Sequence, residues 1–547
     1  MRCARTVLLF AVLAQALPGC SGVGASGSAS IRAASTSPDW WNGAVVYEIF
    51  VRSFRDSNGD GTGDLAGVTA EIPYLRSLGV DAIWLMPIFP SPSQHGYDVT
   101  SYGDVNPTYD PNWVAGGSNP HSDFDVLLAA AHLAGLKVLL DYVPNHTSSQ
   151  HPWFAEAVLG PSAPHRDFYV WSTTDPGWPE PWGGGRSWYE WGGAGDWYYA
   201  AFSSAMPDLN WRNPLVGQEL AARAVDWLNR GVDGFRLDAV RYLVENGPGP
   251  GQQDQPETHA DLRAFTATVR AASPQAIVLG EAWADASTIV PYFGSAESQS
   301  AGGDEVLPLD FPLAFAVQAD VASDTSTGIP AALDAVAGQD PVGAGDAPFL
   351  ANHDMDRIAT LVGGDPGRLR VAAAILLTLQ GTPIIYYGEE LGMANGSAGC
   401  SGDDCKREPM AWDATPTHGF TGGTPWMAFA PNAPTANVAT ESADPGSLLA
   451  RYQALIAVRK ASPALRQGGT TRLDTPSPVL AYLRTSGTET VLVAHNLGAG
   501  PATRKVLVPG TLAEALFADP GAQATPAGAG TFTVSLPGHS SGAWRLR

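Results

Sequence analysis

The sequence predicts an α/β fold, a (β/α)8 TIM barrel with an inserted subdomain after strand 3 and a C-terminal antiparallel β-sandwich. From Trp40 onward, short apolar runs alternate with helical stretches, which is typical of a parallel sheet covered by helices on both faces. Beyond a helix predicted at 448–460, the pattern changes to short alternating runs separated by Gly and Pro, which indicates antiparallel strands. At 547 residues, the chain is also too long for one simple domain.

Eight apolar runs of β-type composition are predicted to be the barrel strands, because eight strand–helix units over this length fit a (β/α)8 barrel. Helices are expected between them at 123–135, 218–230 and 262–272. The strands are predicted at 45–50, 80–88, 137–143, Gly234–Leu237, 276–280, 306–311, 348–351 and 383–387.

The segment 147–205 is predicted to be a subdomain inserted after the third strand, because it has little helical periodicity and many Trp, Tyr, Gly and Pro residues. Its aromatic residues either line sugar-binding subsites or form the small core of the subdomain, and the sequence leaves both interpretations open. They are Trp178, Trp182, Trp188, Trp191, Trp197, Tyr198 and Tyr199.

The chain begins with a predicted lipoprotein signal peptide at 1–20. Arg2 and Arg5 precede an apolar run at 7–17 that is too short to span a bilayer. The run ends in LPGC at 17–20, which resembles a bacterial lipobox with Cys20 as the lipid attachment site; a plain secretory signal is the alternative. The following residues, 21–38, are rich in Ser, Ala and Gly, as expected of a flexible tether.

These features predict an exported protein that contacts a membrane only through the lipid on Cys20, or is secreted.

The barrel domain is expected at 39–466 and the sandwich domain at 467–547, with strands at 479–484, 490–496, 504–508 and Thr531–Leu536. A formal net charge of −23 and a pI near 4.7 oppose binding to nucleic acid or to anionic lipid.

Two of the four cysteines, Cys400 and Cys405, lie beyond the signal region and enclose only SGDD at 401–404. In an exported chain, this close spacing predicts a disulfide that closes a small loop. Two free thiols, or a metal site that uses the intervening aspartates, are the alternatives.

Acidic residues follow three of the predicted strands. Asp238 ends the fourth strand, Glu281 the fifth and Asp354 the seventh, while His146 and His353 follow the third and the seventh. In a barrel of this type the active site lies at the C-terminal ends of the strands, so these side chains are expected to converge.

The surroundings of two acids predict different pKa values. Arg236 and Asp238 are two residues apart and share a face of the strand, so the arginine should lower the pKa of Asp238 and keep it ionised. Glu281 has no cation nearby in sequence and has Trp283 close by, which favours a raised pKa. Cleavage of a glycosidic bond requires two carboxyl groups that differ in this way.

Four stretches resemble, in the correct order, the four sequence regions of the α-amylase family of glycoside hydrolases. A fifth stretch, MPDLN at 206–210, is similar to the family's fifth region in a form between the oligo-1,6-glucosidase and neopullulanase groups. The four are DYVPNH at 141–146, GFRLD at 234–238, GEAW at 280–283 and FLANHD at 349–354.

This resemblance implies a role for each residue. Asp238 would be the nucleophile, Glu281 the general acid/base and Asp354 the stabiliser of the transition state. The substrate would be an α-glucan or a maltooligosaccharide, and the protein is expected to be a monomer. The implied sugar-binding residues are Tyr97 and Asp98, within GYD at 96–98, together with His146, Arg236 and His353.

The sequence also predicts a structural Ca²⁺ site in the loop DSNGDGTGD at 56–64. Oxygen ligands at every second position, separated by glycines, allow a single loop to wrap around a hard cation. The loop resembles the calcium loop that follows the first barrel strand in oligo-1,6-glucosidase-like relatives; a surface turn is the alternative. Arg241 and Tyr242 replace the Lys-His of many α-amylases, so the family's interdomain calcium site is not implied. The predicted ligands are Asp56, Asn58, Asp60, Asp64 and the carbonyl of Thr62.

Three functions remain open at this point. A retaining α-amylase acting on α-1,4 bonds is favoured, because Ala239 follows the nucleophile where relatives that cleave α-1,6 bonds tend to have valine. An α-glucosidase, an oligo-1,6-glucosidase or a transglycosylase of the same fold is the second possibility. A non-catalytic glucan-binding lipoprotein is disfavoured, because Asp238, Glu281 and Asp354 are all present.

The lipid anchor can be tested by replacing the attachment site. Cys20→Ala is expected to move the protein from the membrane fraction to the soluble fraction, because the lipid on Cys20 would supply the hydrocarbon that holds it there. Cell fractionation and mass spectrometry of the N-terminal peptide measure the result, with Cys3→Ala as the matched control. A wild-type protein that is soluble and carries no lipid would reject the anchor.

Overall fold

The computed structural model describes residues 31–32, 40–114, 122–193, 195–293, 306–337, 345–397, 399–528 and 530–547. The predicted signal peptide with Cys20, and most of the predicted tether, lie outside these residues. In the part of the chain that is described, no helix is both long enough and apolar enough to cross a bilayer.

A parallel sheet forms the centre of the larger domain and curls into the predicted (β/α)8 barrel, which is confirmed. Two parallel bridges, Leu309 to Ala347 and Phe349 to Ile384, join the sixth strand to the eighth through the seventh and so close the barrel. The other strands are hydrogen-bonded in the order sixth, fifth, fourth, third, second, first, eighth. In chain order they are Val46–Ile49, Ala82–Leu85, Lys137–Tyr142, Gly234–Leu237, Ile277–Gly280, Leu307–Pro308 and Ile384–Tyr386.

The seventh strand differs most from its prediction at 348–351. Ala347 and Phe349 each make a single parallel bridge in place of a continuous ladder. Pro348 lies between them and has no N–H to donate, so a regular ladder is interrupted at this residue.

Helices cover the outside of the barrel, and two of them begin earlier than predicted. The helix predicted at 218–230 begins at Pro214, because the Asn213 side chain accepts a hydrogen bond from the N–H of Leu215 and proline suits the first turn. The helix predicted at 262–272 also begins with a proline. The α-helices around the barrel are Val51–Phe54, Leu65–Ala70, Ile72–Leu78, Asp123–Leu133, Pro214–Arg230, Pro256–Ala272, Ala286–Ile289, Phe311–Ser323, Gly328–Ala337, Ile358–Leu361, Pro366–Thr378, Val438–Ala443, Leu448–Ala461 and Pro463–Gln467.

The segment after the third strand contains its own small antiparallel sheet and one α-helix, Pro152–Ala157. Trp188 and Tyr199 are buried in a cluster against which Trp178 and Trp197 pack. Part of the aromatic stretch is therefore the core of this segment. The strands, with the central one first, are Asp196–Tyr199, Trp171–Ser172 and Trp188–Trp191.

Two antiparallel sheets follow the barrel, and they contain more strands than predicted. The larger sheet is extended by Ile31–Arg32, which pairs with Gly469–Leu473 although the sequence places it in the tether. In hydrogen-bonding order, the larger sheet is Ile31–Arg32, Gly469–Leu473, Val479–Ser486, Glu489–Asn496, Ser540–Leu546 and Leu512–Ala518, and the smaller is Ala502–Leu507, Thr531–Leu536 and Gln523–Gly528.

Buried hydrogen bonds join the larger sheet to the barrel domain. Arg484 donates to the carbonyl of Thr378 in the barrel domain at 2.6 Å, and within its own domain to the carbonyl of Gly468 at 2.7 Å. Tyr482 and Thr378 also share a hydrogen bond between their hydroxyl groups, at 2.6 Å. These contacts hold the helix Pro366–Thr378 against the sheet, so the sandwich is packed on the barrel at a fixed position.

Candidate active site

The structure brings the three predicted acids together with one buried cation. Asp238 and Glu281 follow the fourth and fifth strands, and the guanidinium of Arg236 contacts both. Asp354 follows the seventh strand, and its negative charge raises the pKa of both Asp238 and Glu281. The convergence expected at the C-terminal ends of the strands is therefore present.

The Arg236 side chain is completely buried and contacts three carboxylates. Its Nη1 donates to Asp141 Oδ1 at 2.9 Å and to Asp238 Oδ1 at 2.8 Å, while Nη2 donates to Glu281 Oε2 at 2.6 Å. The expectation that Glu281 has no local cation is wrong, because a contact between neighbouring strands is not visible in the spacing along either one. Asp141, inside the third strand, was not predicted as a site residue.

Burial sets the pKa values of the two main acids. It raises the pKa of Asp238 to about 6, although Arg236 acts in the opposite direction, so the expectation of a lowered pKa is wrong. Burial also raises the pKa of Glu281 to about 7, again against Arg236. The order of the two values still agrees with the prediction.

Backbone geometry holds Asp238 and Glu281 close to each other. A Cβ on Gly234 would lie 2.2 Å from the carbonyl oxygen of Ile277, so only glycine permits this approach of the fourth and fifth strands. Ala239 has a φ of 51°, a left-handed conformation that costs about 1–2 kcal/mol. In this conformation its N–H donates to Glu281 Oε2 at 3.2 Å.

Asp354 is surrounded by cations. Its Oδ2 lies 2.9 Å from His353 Nε2, its Oδ1 accepts from Arg407 Nη2 at 2.7 Å, and its carbonyl accepts from Lys406 Nζ at 2.6 Å. Burial would raise the pKa of Asp354, but His353 and Arg407 outweigh burial and hold it well below its usual range. The sequence did not identify Lys406 and Arg407, although two adjacent basic residues directly after Cys405 are a visible signal.

Lys406 and Arg407 are held by a turn that a disulfide closes. Cys400 and Cys405 are bonded to each other, and a 3-10 helix, Gly402–Lys406, spans the second half of the loop. Tyr386 in the eighth strand donates to the Lys406 carbonyl at 2.9 Å. The disulfide therefore lies next to the cations that contact Asp354.

His353 is connected to the first barrel strand and to Tyr97. Its Nδ1 lies 2.6 Å from Glu48 Oε1, and its Nε2 lies 2.6 Å from the Tyr97 hydroxyl. Burial lowers the pKa of His353, but Asp354 and Glu48 reverse this effect and raise it to about 10, so the ring is a cation at neutral pH. Tyr97 stacks on His353 with ring centroids 5.4 Å apart and also contacts Asp141. Glu48 was missed because one acid inside an apolar strand gives no local signal.

Asp98 is buried, and the Ser91 and Ser93 hydroxyls donate to its Oδ1. The charges of Asp98 and Asp354 both act on His95, so Asp98 belongs to the same charged neighbourhood as the site.

His146 is buried and neutral, because burial lowers its pKa to about 3. Its Nδ1 lies 3.3 Å from Asn145 Nδ2, and its Nε2 has no hydrogen-bond partner among the residues that are described. An unpaired nitrogen at this depth is suited to a hydroxyl group of a bound ligand.

The predicted calcium loop is curled by its own polar groups. Asp56, Asn58 and Asp60 each accept a hydrogen bond from the backbone N–H two residues further on, and Asp64 accepts from Ser57. Such turns leave carboxylate, amide and carbonyl oxygens on one short loop, a donor set that suits Ca²⁺. In the described part of the chain, no group of three or more His, Cys, Asp or Glu side chains is arranged for a metal, so Asp56, Asp60 and Asp64 do not converge on one point in this structure.

The chain is similar to known proteins over most of its length. Residues 48–468 match the family model described as the catalytic domain of alpha amylase. The chain is 36% identical over 464 residues to Alpha-amylase 3 of Dictyoglomus thermophilum, covering 84% of this chain and 85% of that protein. It is 34% identical over 527 residues to a probable alpha-glucosidase of Rhizobium meliloti, covering 86% and 91%. The crystal structure of an alpha-amylase from H.orenii matches with a TM-score of 0.79 at 33% identity, covering 92% of this chain and 99% of that one.

The order of the two raised pKa values can be measured directly. Infrared difference titration of the unliganded protein should show a carboxyl band that is lost near pH 7 and is missing in Glu281→Gln. A second band, missing in Asp238→Asn, should be lost near pH 6. The two groups are close enough to titrate as a pair, so each variant is also expected to shift the other band. Loss of the Glu281 band at a lower pH than the Asp238 band would contradict the assignment.

Proposed function

The chain belongs to the alpha-amylase family of glycoside hydrolases, and from this we propose that it is an α-amylase that cleaves α-1,4-glucosidic bonds with retention at the anomeric carbon. Its substrates are starch, glycogen or maltooligosaccharides. The observation that carries the proposal is the pair Asp238 and Glu281, which share one buried guanidinium and differ in pKa.

In the first step, the carboxylate of Asp238 attacks the anomeric carbon. The bond from that carbon to the departing oxygen breaks, and Glu281 transfers its proton to this oxygen, so the leaving chain departs as a neutral alcohol. Arg236 holds Oδ1 of Asp238 and so orients the nucleophile. The product of this step is a glucosyl ester on Asp238.

In the second step, Glu281 takes a proton from water, and the water oxygen attacks the anomeric carbon. The ester bond breaks, and Asp238 is released as a carboxylate. Asp354 transfers no proton in this scheme. It binds hydroxyl groups of the distorted sugar together with His146 and His353, more tightly in the transition state than in the ground state.

A second candidate is an α-glucosidase, an oligo-1,6-glucosidase or a transglycosylase with the same fold. The similarity to a probable alpha-glucosidase favours this candidate nearly as strongly as the similarity to an α-amylase favours the first. Ala239, where relatives that cleave α-1,6 bonds tend to have valine, supports the α-amylase. Chromatography of the products from amylose, maltotriose and isomaltose separates the candidates, because fast cleavage of isomaltose is expected of an oligo-1,6-glucosidase, release of single glucose units of an α-glucosidase, and products longer than maltotriose of a transglycosylase.

Retention is tested by proton NMR of early products from maltopentaose. We expect the α-anomer to appear first and to mutarotate later, because two displacements restore the original configuration. Asp238→Asn is expected to lower kcat by at least about a thousandfold, since it removes the nucleophile. Asp226→Asn, on the exposed side of the helix Pro214–Arg230, is the matched control and should retain full turnover.

Two results would overturn the mechanism. One is a β-anomer as the first product, and the other is turnover by Asp238→Asn that approaches that of the wild-type enzyme. Hydrolysis of neither maltopentaose nor isomaltose by the wild-type enzyme would overturn the proposed function as a whole.

We also propose that Ca²⁺ binds the loop 56–64 and stabilises the fold, with Asp56, Asn58, Asp60, Asp64 and the Thr62 carbonyl as ligands. When bound, the ion supplies charge neutralisation to this acidic loop. Asp56 also accepts from the Thr421 hydroxyl, so the loop is attached to a segment far along the chain.

The calcium proposal predicts a change in thermal stability. A chelator is expected to lower the Tm of the wild-type protein, because a ligand that binds only the folded state stabilises it. Asp60→Ala should make the Tm independent of both chelator and added calcium, whereas Asp226→Asn should respond as the wild type does. A wild-type melting curve that is the same with chelator and with calcium would count against the site.

A further inference from the structure

One exposed tryptophan of the inserted segment is not part of that segment's core. Trp182 is 52% exposed, whereas the core of the segment is the cluster around Trp188 and Tyr199. An indole face that remains in water does not contribute to folding through burial, and large exposed aromatic groups commonly mark binding sites.

Trp182 is supported by two other rings. Its centroid lies 5.2 Å from that of Phe202 and 5.9 Å from that of Tyr242, and the latter two rings are 5.5 Å apart. Both contacts of Tyr242 are edge-on, at 87° to Trp182 and 83° to Phe202. We call these three residues the aromatic platform.

The aromatic platform adjoins the candidate active site. Phe202 lies 5.2 Å from the ring of His146, and Tyr242 is in the short turn Val240–Tyr242 that follows Asp238. The same turn lies beside Glu281, because the N–H of Ala239 donates to Glu281 Oε2 at 3.2 Å and Arg241 donates to the carbonyl of Trp283.

The segment that carries Trp182 is fixed before any ligand binds. The carbonyl of Pro179 accepts from Gln252 Nε2 at 3.0 Å and from the Ser187 hydroxyl at 2.8 Å. Gln252 is fully buried and also donates to the Tyr199 hydroxyl. A ring held in this way binds a ligand at a smaller cost in conformational entropy than a mobile one.

We propose that Trp182 binds a glucose ring of the leaving chain, on the reducing-end side of the bond that is cleaved. The inference rests on the proposed role of Glu281, because the acid that protonates the departing oxygen lies on the leaving side. The C–H face of a pyranose ring is apolar and flat, so it can cover the exposed indole, while the sugar hydroxyls remain in water. The platform would thus select substrates with at least one sugar unit beyond the cleaved bond.

Two substrates distinguish a loss of sugar binding at Trp182 from a general loss of catalytic activity. Maltopentaose places sugar rings on the leaving side, whereas α-glucosyl fluoride has none. In Trp182→Ala, the ratio of kcat/KM for maltopentaose to kcat/KM for α-glucosyl fluoride is expected to fall about tenfold, mainly through a higher KM for maltopentaose. Trp182→Phe should restore part of the ratio, because it retains an aromatic face.

Trp191→Ala is the matched control. Trp191 is the other tryptophan of this segment with a large exposed fraction, at 39%, but it packs on Phe154 and Tyr198, away from the platform. This variant is expected to keep the wild-type ratio, and the Tm of each variant shows whether it is folded.

The possible outcomes are distinct. A Trp182→Ala enzyme with the wild-type ratio, or with equal losses on the two substrates, would overturn the inference while leaving the proposed function intact. A wild-type enzyme that hydrolyses neither substrate would overturn the proposed function, and the inference with it. A reduced ratio in Trp191→Ala as well would show that the effect is not specific to the platform, and would also overturn the inference.

Discussion

The charge of one buried guanidinium makes the candidate site possible. Arg236 lies on the fourth strand and contacts Asp141, Asp238 and Glu281, which come from three adjacent strands. Three carboxylates at this depth repel one another and lose their hydration, and an unpaired buried charge costs several kcal/mol. The faces of Trp84 and Tyr97 lie 5.3 and 5.7 Å from the guanidinium carbon and complete its surroundings. The converging strands of a closed barrel bring these groups together.

The acidic residues of the site differ in the number of cationic side chains that lie beside each of them. Asp238 and Glu281 share the single charge of Arg236, and burial prevails, so their pKa values rise. Asp354 has both His353 and Arg407, and its pKa falls. A site that combines proton transfer with a permanent negative charge needs both kinds of carboxyl group. The fold provides both kinds because it places a different number of cations beside each carboxyl group.

The sequence predicts those parts of the molecule that depend on local pattern. Apolar runs followed by acids predict both the strands and the convergence of Asp238, Glu281 and Asp354. Contacts between distant segments are not predicted, because no local spacing records them: the bond from Arg236 to Glu281 joins two strands, and Arg407 reaches Asp354 from a turn after the eighth strand. The missed sandwich strand Leu512–Ala518 is rich in Ala and has no β-branched residue, so composition gives little sign of it.

Gly234 carries no functional group, yet it allows the fourth and fifth strands to approach closely at the end where both begin. Any other residue would place a Cβ 2.2 Å from the Ile277 carbonyl oxygen and would force the fourth and fifth strands apart. A wider gap between the carboxyl groups that end these strands would make room for a water molecule beside the sugar, which is the arrangement found in enzymes that invert configuration. The configuration at the anomeric carbon of the released sugar therefore depends on how closely these two strands are spaced.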